Sequence, residues 1–440
     1  MDYNTLYPLA TRHLAGVRSA PHEPHESAAV LDKILHHRLD SSEGMSPQDV
    51  GFLLTTVLNP AMGMHREKIL ASSTALRRRT YGNNVATMVP IEIGSYCTSN
   101  CTFCGWRRDN TAMLRLRVNR GALIAQVREL AALGFSHFEL SGGDDLLFLQ
   151  KELYPTVRAV KSVIKEVVPE GRLSICLTPL MADHYRELSA LGLDTVLTWQ
   201  ETYHRATYER LITKGPKANG IDLDFRLLRG GDGFLSRASS QERAVKAGLQ
   251  VGIGVMLGLA PDPEADVLAT ILHGQYLLGL YGGNAVPLII GMPTWNSITT
   301  IETDQRGTWH RPFDPAEVFE IIAAIYFLAF PDYKAWVFPN CRVPMATQVR
   351  SIVTAGVFSS TMVRVGPGAY LANISDCTRL SDAFESSSTA FEALTRSKVL
   401  QGEQFQHHFH DHSDYVNAFQ AAGLEVVSDS ALLNAASRRR

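Results

Sequence analysis

From about residue 89 onward, short apolar runs alternate with segments whose apolar positions recur at helical spacing. The runs at 89–93, 137–140, 173–177, 195–198, 251–256, 285–290, 334–337 and 361–365 predict strands. The segments 119–133, 148–167, 182–191, 205–212, 240–247, 263–278, 315–330 and 346–354 predict the helices between them. Eight such alternations in about 275 residues predict an α/β fold, a parallel (β/α) barrel of TIM type, complete or nearly so. A doubly wound open sheet shares this alternation, and counting strands does not separate the two.

The flanks read differently. Residues 1–85 predict a helical N-terminal extension, with apolar positions at helical spacing over 28–37. A second helix start follows, with Ser46 as N-cap, Pro47 at the first helical position and Asp49 at the positive end of the dipole. The barrel is expected over 86–370, and 371–440 as a helical C-terminal extension that closes it, with a serine run at Ser386–Ser388 and a basic end, Arg438–Arg440. No repeat or linker-like tract interrupts the chain.

Composition narrows the function classes. Lys and Arg total 42 against 44 Asp and Glu, a net charge of −2, so neither nucleic acid nor an anionic membrane is an expected partner. The N-terminus has no basic start followed by an apolar stretch, so no secretory signal is expected. The most apolar region, 267–290, is broken by His273, Gln275, several glycines and Asn284, which predicts buried helix and strand, not a membrane span. Three of six cysteines fall within eight residues. In a chain without an export signal, that clustering points to metal ligation in a reducing cytoplasm.

The cluster is Cys97-Thr98-Ser99-Asn100-Cys101-Thr102-Phe103-Cys104, directly after the first barrel strand. A C-x3-C-x2-C loop can wrap three thiolates around one face of an iron–sulfur cluster, the chemistry such ligands favour. With no fourth cysteine nearby, one iron keeps an open position, as catalytic metal sites do. Zinc is the competing reading, but it usually takes four protein ligands, and no second C-x2-C or histidine pair is adjacent.

This motif, with Phe103 before the third cysteine, resembles the radical S-adenosylmethionine superfamily. The resemblance implies one [4Fe–4S] cluster on Cys97, Cys101 and Cys104. It also implies S-adenosylmethionine on the open iron, and a reducing electron donor such as flavodoxin or ferredoxin. Leu140-Ser141-Gly142-Gly143-Asp144 is similar to the superfamily's glycine-rich element, so Gly142, Gly143 and Asp144 are expected at the methionine amino group. Phe103 is implied as a further cofactor neighbour.

Other segments resemble the aromatic amino-acid lyase branch, the tyrosine lyases that make 2-iminoacetate. They are Gln200-Glu201-Thr202-Tyr203-His204, Thr207-Tyr208, Gly215-Pro216-Lys217 and His410-Asp411-His412-Ser413. By that resemblance Glu201 contacts S-adenosylmethionine; Tyr203 and His204 are candidates to face the substrate, with a place in the core or at the surface as the other reading. The sequence departs from the pattern in two places. No cysteine follows Cys377, so a second cluster is not expected. The cysteine loop continues as Arg107-Arg108-Asp109-Asn110, closer to the tryptophan-processing indolic acid synthases and to another hydrogenase-maturation branch.

An amino-acid substrate needs a cation for its carboxylate and hydroxyls or carbonyls for its amine. Arg342, after the seventh predicted strand, and Ser359 and Ser360, before the eighth, are the clamp candidates, in a part of the barrel where the resembling lyases use an arginine and a serine. The implied reaction is hydrogen abstraction from the amino group of a tyrosine- or tryptophan-like L-amino acid, followed by Cα–Cβ cleavage. The alternatives are a rearrangement or elimination on another amino acid or a sugar, and a non-catalytic iron–sulfur scaffold. His407, His408, His410 and His412 form a dense group that could bind metal, but the family tail that this segment resembles does not depend on histidines. Cys176 is expected as a buried apolar thiol, Cys341 as packing beside Arg342, and Trp106 as packing on the cysteine loop.

Overall fold

The computed structural model describes residues 1–19, 24–57, 63–113, 115–282, 286–296, 315–373, 404–405 and 407–437. Cys377, Ser386–Ser388 and Arg438–Arg440 lie outside the described residues.

The lead-in consists of α1 (Leu6–Arg18), α2 (Pro24–Asp40), α3 (Pro47–Val57) and α4 (Met64–Tyr81). Ser46 Oγ accepts from the Asp49 amide at 3.1 Å, the N-cap expected for α3. The barrel proper runs β1 (Asn84–Gly94), α5 (Arg120–Ala132), β2 (His137–Gly142), α6 (Leu146–Lys151), α7 (Leu153–Val167), β3 (Arg172–Cys176), α8 (Ala182–Ala190) and β4 (Thr195–Leu197). It continues through α9 (Arg205–Leu211), α10 (Pro216–Asn219), α11 (Gly233–Ala238), α12 (Ser240–Lys246), β5 (Gln250–Gly254), α13 (Pro263–Tyr281) and β6 (Leu288–Gly291). The last described elements are α14 (Pro315–Ala329), β7 (Ala335–Phe338), α15 (Met345–Thr354), β8 (Phe358–Ser360), α16 (His412–Ala421), β9 (Glu425–Val427) and α17 (Asp429–Ser437).

Strands β1 to β8 are parallel and follow the order β7-β6-β5-β4-β3-β2-β1-β8. Between β7 and β8 the seam is held by one bridge, Val337 to Gly356, and by the Val357 amide on the Val337 carbonyl at 3.3 Å. The sheet therefore curls into a TIM-type barrel with helices outside it. Buried on both faces, the strands carry nearly continuous apolar runs; β5 and β6 are buried throughout. Helix α13 is apolar nearly all round because α1 and α3 cover the face it turns away from the barrel. Arg38 of α2 caps α14 from outside, donating to the Leu328 and Phe330 carbonyls at 2.8 Å each and pairing with Asp332.

Three expectations need correction. The eighth strand is 358–360, not 361–365, and it pairs Ala86–Met88 of β1. The apolar run after it leaves the sheet at Met362, whose φ is +53°, and Val363 and Val365 pack against Trp106 of the cysteine loop. Segment 148–167 is two helices that break at Glu152, and Pro155 sits in the first turn of α7, where its missing N–H costs nothing. The C-terminal extension is not wholly helical: β9 adds to the lower half of β1, pairing Asn84 with Glu425.

Candidate active site

The cysteine loop leaves β1 at Gly94 and is clamped on three sides. Arg115 donates to the Ser95, Trp106 and Arg107 carbonyls at 2.7 Å each and to the Asn110 carbonyl at 3.0 Å. A single guanidinium thus gathers the loop's unpaired carbonyls, and Asn110 adds a bond to the Gly105 carbonyl at 2.7 Å. On the β2 side, the amide and hydroxyl of Thr98 both donate to the Asp144 carbonyl, at 3.0 and 2.8 Å. On the third side, the Asn100 amide meets the Lys214 carbonyl and the Thr102 amide the Leu211 carbonyl.

Two glycines permit this closeness. A Cβ at Gly143 would fall 2.2 Å from the Tyr96 carbonyl oxygen and 2.9 Å from Cys97 Cβ; one at Gly215, whose φ is +82°, would fall 2.4 Å from the Thr98 oxygen. The obstructing atoms are mainly backbone, so the loop itself would have to shift. Gly143→Ala is therefore expected to displace Cys97 and lower iron–sulfur content by roughly tenfold at unchanged secondary structure. Iron and sulfide assays on anaerobically loaded protein, beside circular dichroism, decide; normal cluster content would refute this role for the glycine.

Cys97, Cys101 and Cys104 are buried close together, and Cys104 adds to the rise in pKa of the other two. Burial, the larger cause, pushes Cys97 up to about 12 and raises the other two. Loading a metal there must displace protons. Among the described residues no three His, Cys, Asp or Glu side chains converge tightly enough for a single ion.

A cavity opens beside the loop at the C-terminal ends of the strands. Cys104, Phe103, Gly142, Asp144, Glu201, Lys217, Arg237 and Arg342 line its upper part. Glu201 stands at the end of β4 with φ +70°, a left-handed conformation costing about 1–3 kcal/mol, and its carbonyl accepts from the Met256 amide at 2.8 Å. Its carboxylate accepts from Lys217 Nζ at 3.0 Å and Arg237 Nη2 at 3.2 Å. Burial alone would raise the Glu201 pKa; the two cations outweigh it and hold the carboxyl below its usual range. Asp144 takes the Thr178 hydroxyl on one oxygen at 2.7 Å, while Asp144 Oδ2 and Arg237 Nη1 are buried in the wall without partners. An acceptor and a donor left open on one cavity suit a zwitterion, whose ammonium and carboxylate would complete them. That is the methionine end of S-adenosylmethionine, so these residues fit the group the cysteine motif implies.

The deeper part is formed by Pro90 and Glu92 of β1, Glu139 and Ser141 of β2, Cys176, Trp199, Phe338 and Ser360. Burial raises Glu92 to about 7, with the neighbouring Ser141 hydroxyl pulling it back only in part. Burial first, then the charge of Glu92, raise Glu139 to about 8. Both carboxyls keep their protons in the folded chain well above the ordinary value of 4.5. The stability this contributes is complete below that value and is lost as pH rises toward 7–8. We expect the unliganded protein to lose stability between pH 5 and pH 8, with about 2–4 kcal/mol of it removed by Glu92→Gln. Denaturant unfolding across that range measures it, and identical pH slopes for both proteins would refute it.

The structure does not bring every expected residue to the cavity. Tyr203 is a correction: it is buried between β4 and α13, its hydroxyl on His273 Nδ1 at 2.6 Å and its amide on Asp266 at 2.7 Å. Ser359 also turns away, donating to the Pro339 carbonyl at 3.0 Å, because neighbouring strand residues face opposite sides and Ser360 takes the inner one. Arg342 lines the cavity, held by the Thr294 carbonyl at 3.0 Å and stacked 3.6 Å over the Phe405 ring. His204 caps α9. His412 bonds Thr361, and His410 packs edge-on against Tyr415. Cys176 and Cys341, expected as packing thiols, both reach the cavity wall.

Sequence reasoning assigned no role to Lys217, Arg237, Arg115, Glu92 or Glu139. Glu92 and Glu139 did leave a signal: each is the lone acid in its strand segment, VPIEIG and HFELSG.

No protein-family model matches the chain. It is 27% identical over 225 residues to the 2-iminoacetate synthase of Escherichia coli, 51% of this chain and 54% of that protein. It spans about half the length of the curated relatives it matches. Among solved structures it resembles HydG, a maturase of the [FeFe]-hydrogenase, with TM-score 0.74 at 18% identity over 97% of this chain and 81% of that one. It also resembles methylornithine synthase, PylB, with TM-score 0.61 at 15% identity over 92% and 99%. At these identities the structural likeness speaks for the fold.

Proposed function

Because the chain belongs to the radical S-adenosylmethionine superfamily, we propose that it reductively cleaves S-adenosylmethionine and fragments an L-amino acid at its Cα–Cβ bond. The observation that carries this reading is the cysteine loop opening onto the same cavity as Asp144 Oδ2 and Arg237 Nη1, two buried polar atoms without partners. Cys97, Cys101 and Cys104 would hold one [4Fe–4S] cluster, and Asp144, Arg237 and the Glu201–Lys217 pair would hold S-adenosylmethionine. When bound, these groups supply the electron, from a donor of flavodoxin or ferredoxin type, and the 5′-deoxyadenosyl radical.

The chain's own part is positioning and exclusion of water. Asp144 receives an ammonium and Arg237 a carboxylate. Arg342, pinned on Phe405, offers its guanidinium to a substrate carboxylate. Trp199 and Phe338, stacked 6.2 Å apart, wall the deeper chamber with apolar surface that keeps it dry. Ser360 is the remaining hydroxyl expected to reach substrate.

Anaerobic turnover with a panel of amino acids tests the reading, with mass spectrometry of all products. The expected result is 5′-deoxyadenosine together with an imino acid and the severed side-chain fragment. Absence of 5′-deoxyadenosine under every condition would leave a non-catalytic iron–sulfur carrier. A second reading, rearrangement or elimination on a different amino acid or a sugar, is favoured by the two carboxylates in the deeper chamber, which an aromatic ring does not need. A product that keeps every substrate carbon would select it.

A further inference from the structure

The interior of a parallel barrel is usually filled by Val, Ile and Leu. Here β1 and β2 instead turn Glu92, Glu139 and Ser141 inward, with Pro90 paired to Glu139 and Glu92 to Ser141 across the strands. Glu92 is 6% exposed, Glu139 7% and Ser141 9%. Among the described residues no lysine, arginine or histidine forms an ion pair with either carboxyl. Glu139 has the Cys176 thiol as its neighbour. Although Ser141 lies beside Glu92, neither Ser141 Oγ nor Glu92 Oε2 completes a hydrogen bond of ordinary length within the protein.

Buried acceptors without donors destabilise the chain that carries them, and an apolar residue of like volume would cost less. What would complete this site is a group rich in donors and positive in charge. An ammonium offers three donors, and its charge would let the two neighbouring carboxyls give up their protons and accept from it.

We propose that Glu92, Glu139 and Ser141 form the subsite for a protonated amine of the substrate, at the deep end of the cavity that Arg342 also lines. The assignment rests on the reading of this cavity as a substrate chamber. It restricts the substrate to molecules that present an ammonium there, either the α-amino group of an amino acid or a second, side-chain amine. An aromatic ring directed into this end would leave the acceptors unpaired.

Binding to the cluster-loaded, S-adenosylmethionine-bound and unreduced protein tests the proposal without turnover, by anaerobic calorimetry. The probes are L-lysine and L-tyrosine, with 6-aminohexanoate, L-norleucine and 3-(4-hydroxyphenyl)propionate as analogues that each lack one amine. An amine-bearing probe is expected to bind, to weaken roughly tenfold or more when the recognised amine is absent, and to weaken as much against the Glu92→Gln/Glu139→Gln double variant. Lysine and 6-aminohexanoate binding alike, with norleucine failing, assigns the side-chain amine. Norleucine binding like lysine, with 6-aminohexanoate failing, assigns the α-amine. The proposal is overturned if the amine probes bind the double variant as they bind the parent, if removing either amine changes nothing, or if no amine probe binds. Should the variant fail to take up its cluster, the analogue series on the parent protein decides alone. Failure of the radical reading shows elsewhere, as absence of 5′-deoxyadenosine after reduction.

Discussion

Changing Cys97, Cys101 and Cys104 together to alanine should remove the brown charge-transfer absorption, the bound iron and all formation of 5′-deoxyadenosine, while leaving the barrel folded. Loss of function is expected to be complete because no other thiol among the described residues sits in the loop; Cys176 and Cys341 project from β3 and the end of β7. Survival of the fold follows from how the loop is held. Its backbone is tied by Arg115, by the Asp144 carbonyl and by the turn around Lys214, none of which needs a sulfur; the Asp144 amide loses a partner, Cys97 Sγ at 3.4 Å. Cys101 packs among Phe103, Tyr208, Leu211 and Ile212, so trimming it to alanine opens a cavity worth only about 1 kcal/mol. Absorption spectra and iron assays on anaerobically prepared protein, with thermal unfolding beside them, separate the two effects. A triple variant that keeps its colour would end the assignment, and one that no longer folds would show the loop to be structural.

The second large effect is expected at Glu201. Its carboxylate is the partner of both Lys217 and Arg237, which are buried beside it. Glu201→Ala would strand two cations in the barrel wall, and breaking a buried pair from one side typically costs about 3–5 kcal/mol. Glu201→Gln keeps an acceptor oxygen and should lose about half as much. The left-handed backbone sharpens the test: glycine tolerates φ +70° where alanine does not, so Glu201→Gly should be less damaging than Glu201→Ala by about 1 kcal/mol. The same variants should weaken S-adenosylmethionine binding by roughly tenfold or more, since the freed cations are no longer held in register. Urea unfolding and equilibrium dialysis measure the two losses. A Glu201→Ala protein within about 1 kcal/mol of the parent would mean that the cations find other partners.

These two expectations differ in how far they were legible beforehand. The cysteines announce themselves by spacing, and Gly143 and Gly215 stand in recognisable turns. That Gly143 serves the approach of the cysteine loop as much as any ligand is visible only once Tyr96 lies 2.2 Å from where its Cβ would be. Tyr203 misled because its neighbour Glu201 reaches the cavity; two residues on, the chain has turned into the space between β4 and α13. The run 361–365 misled for a related reason. Its apolar residues are buried, but against Trp106 and not within the sheet.

Local pattern alone was enough for the alternation of strands and helices and for the three-cysteine loop; it left a barrel and a doubly wound open sheet equally open, and the closure of β7 on β8 decided for the barrel. Strand period, helix period and thiolate spacing are properties of neighbours along the chain. Which charges meet was decided by closure of the barrel. Glu92 and Glu139 lie 47 residues apart yet share one floor, and Glu201, Lys217 and Arg237 converge from three separate segments. Burial then turns that convergence into chemistry: out of water, a carboxyl must keep its proton, find a cation, or wait for a ligand that brings one.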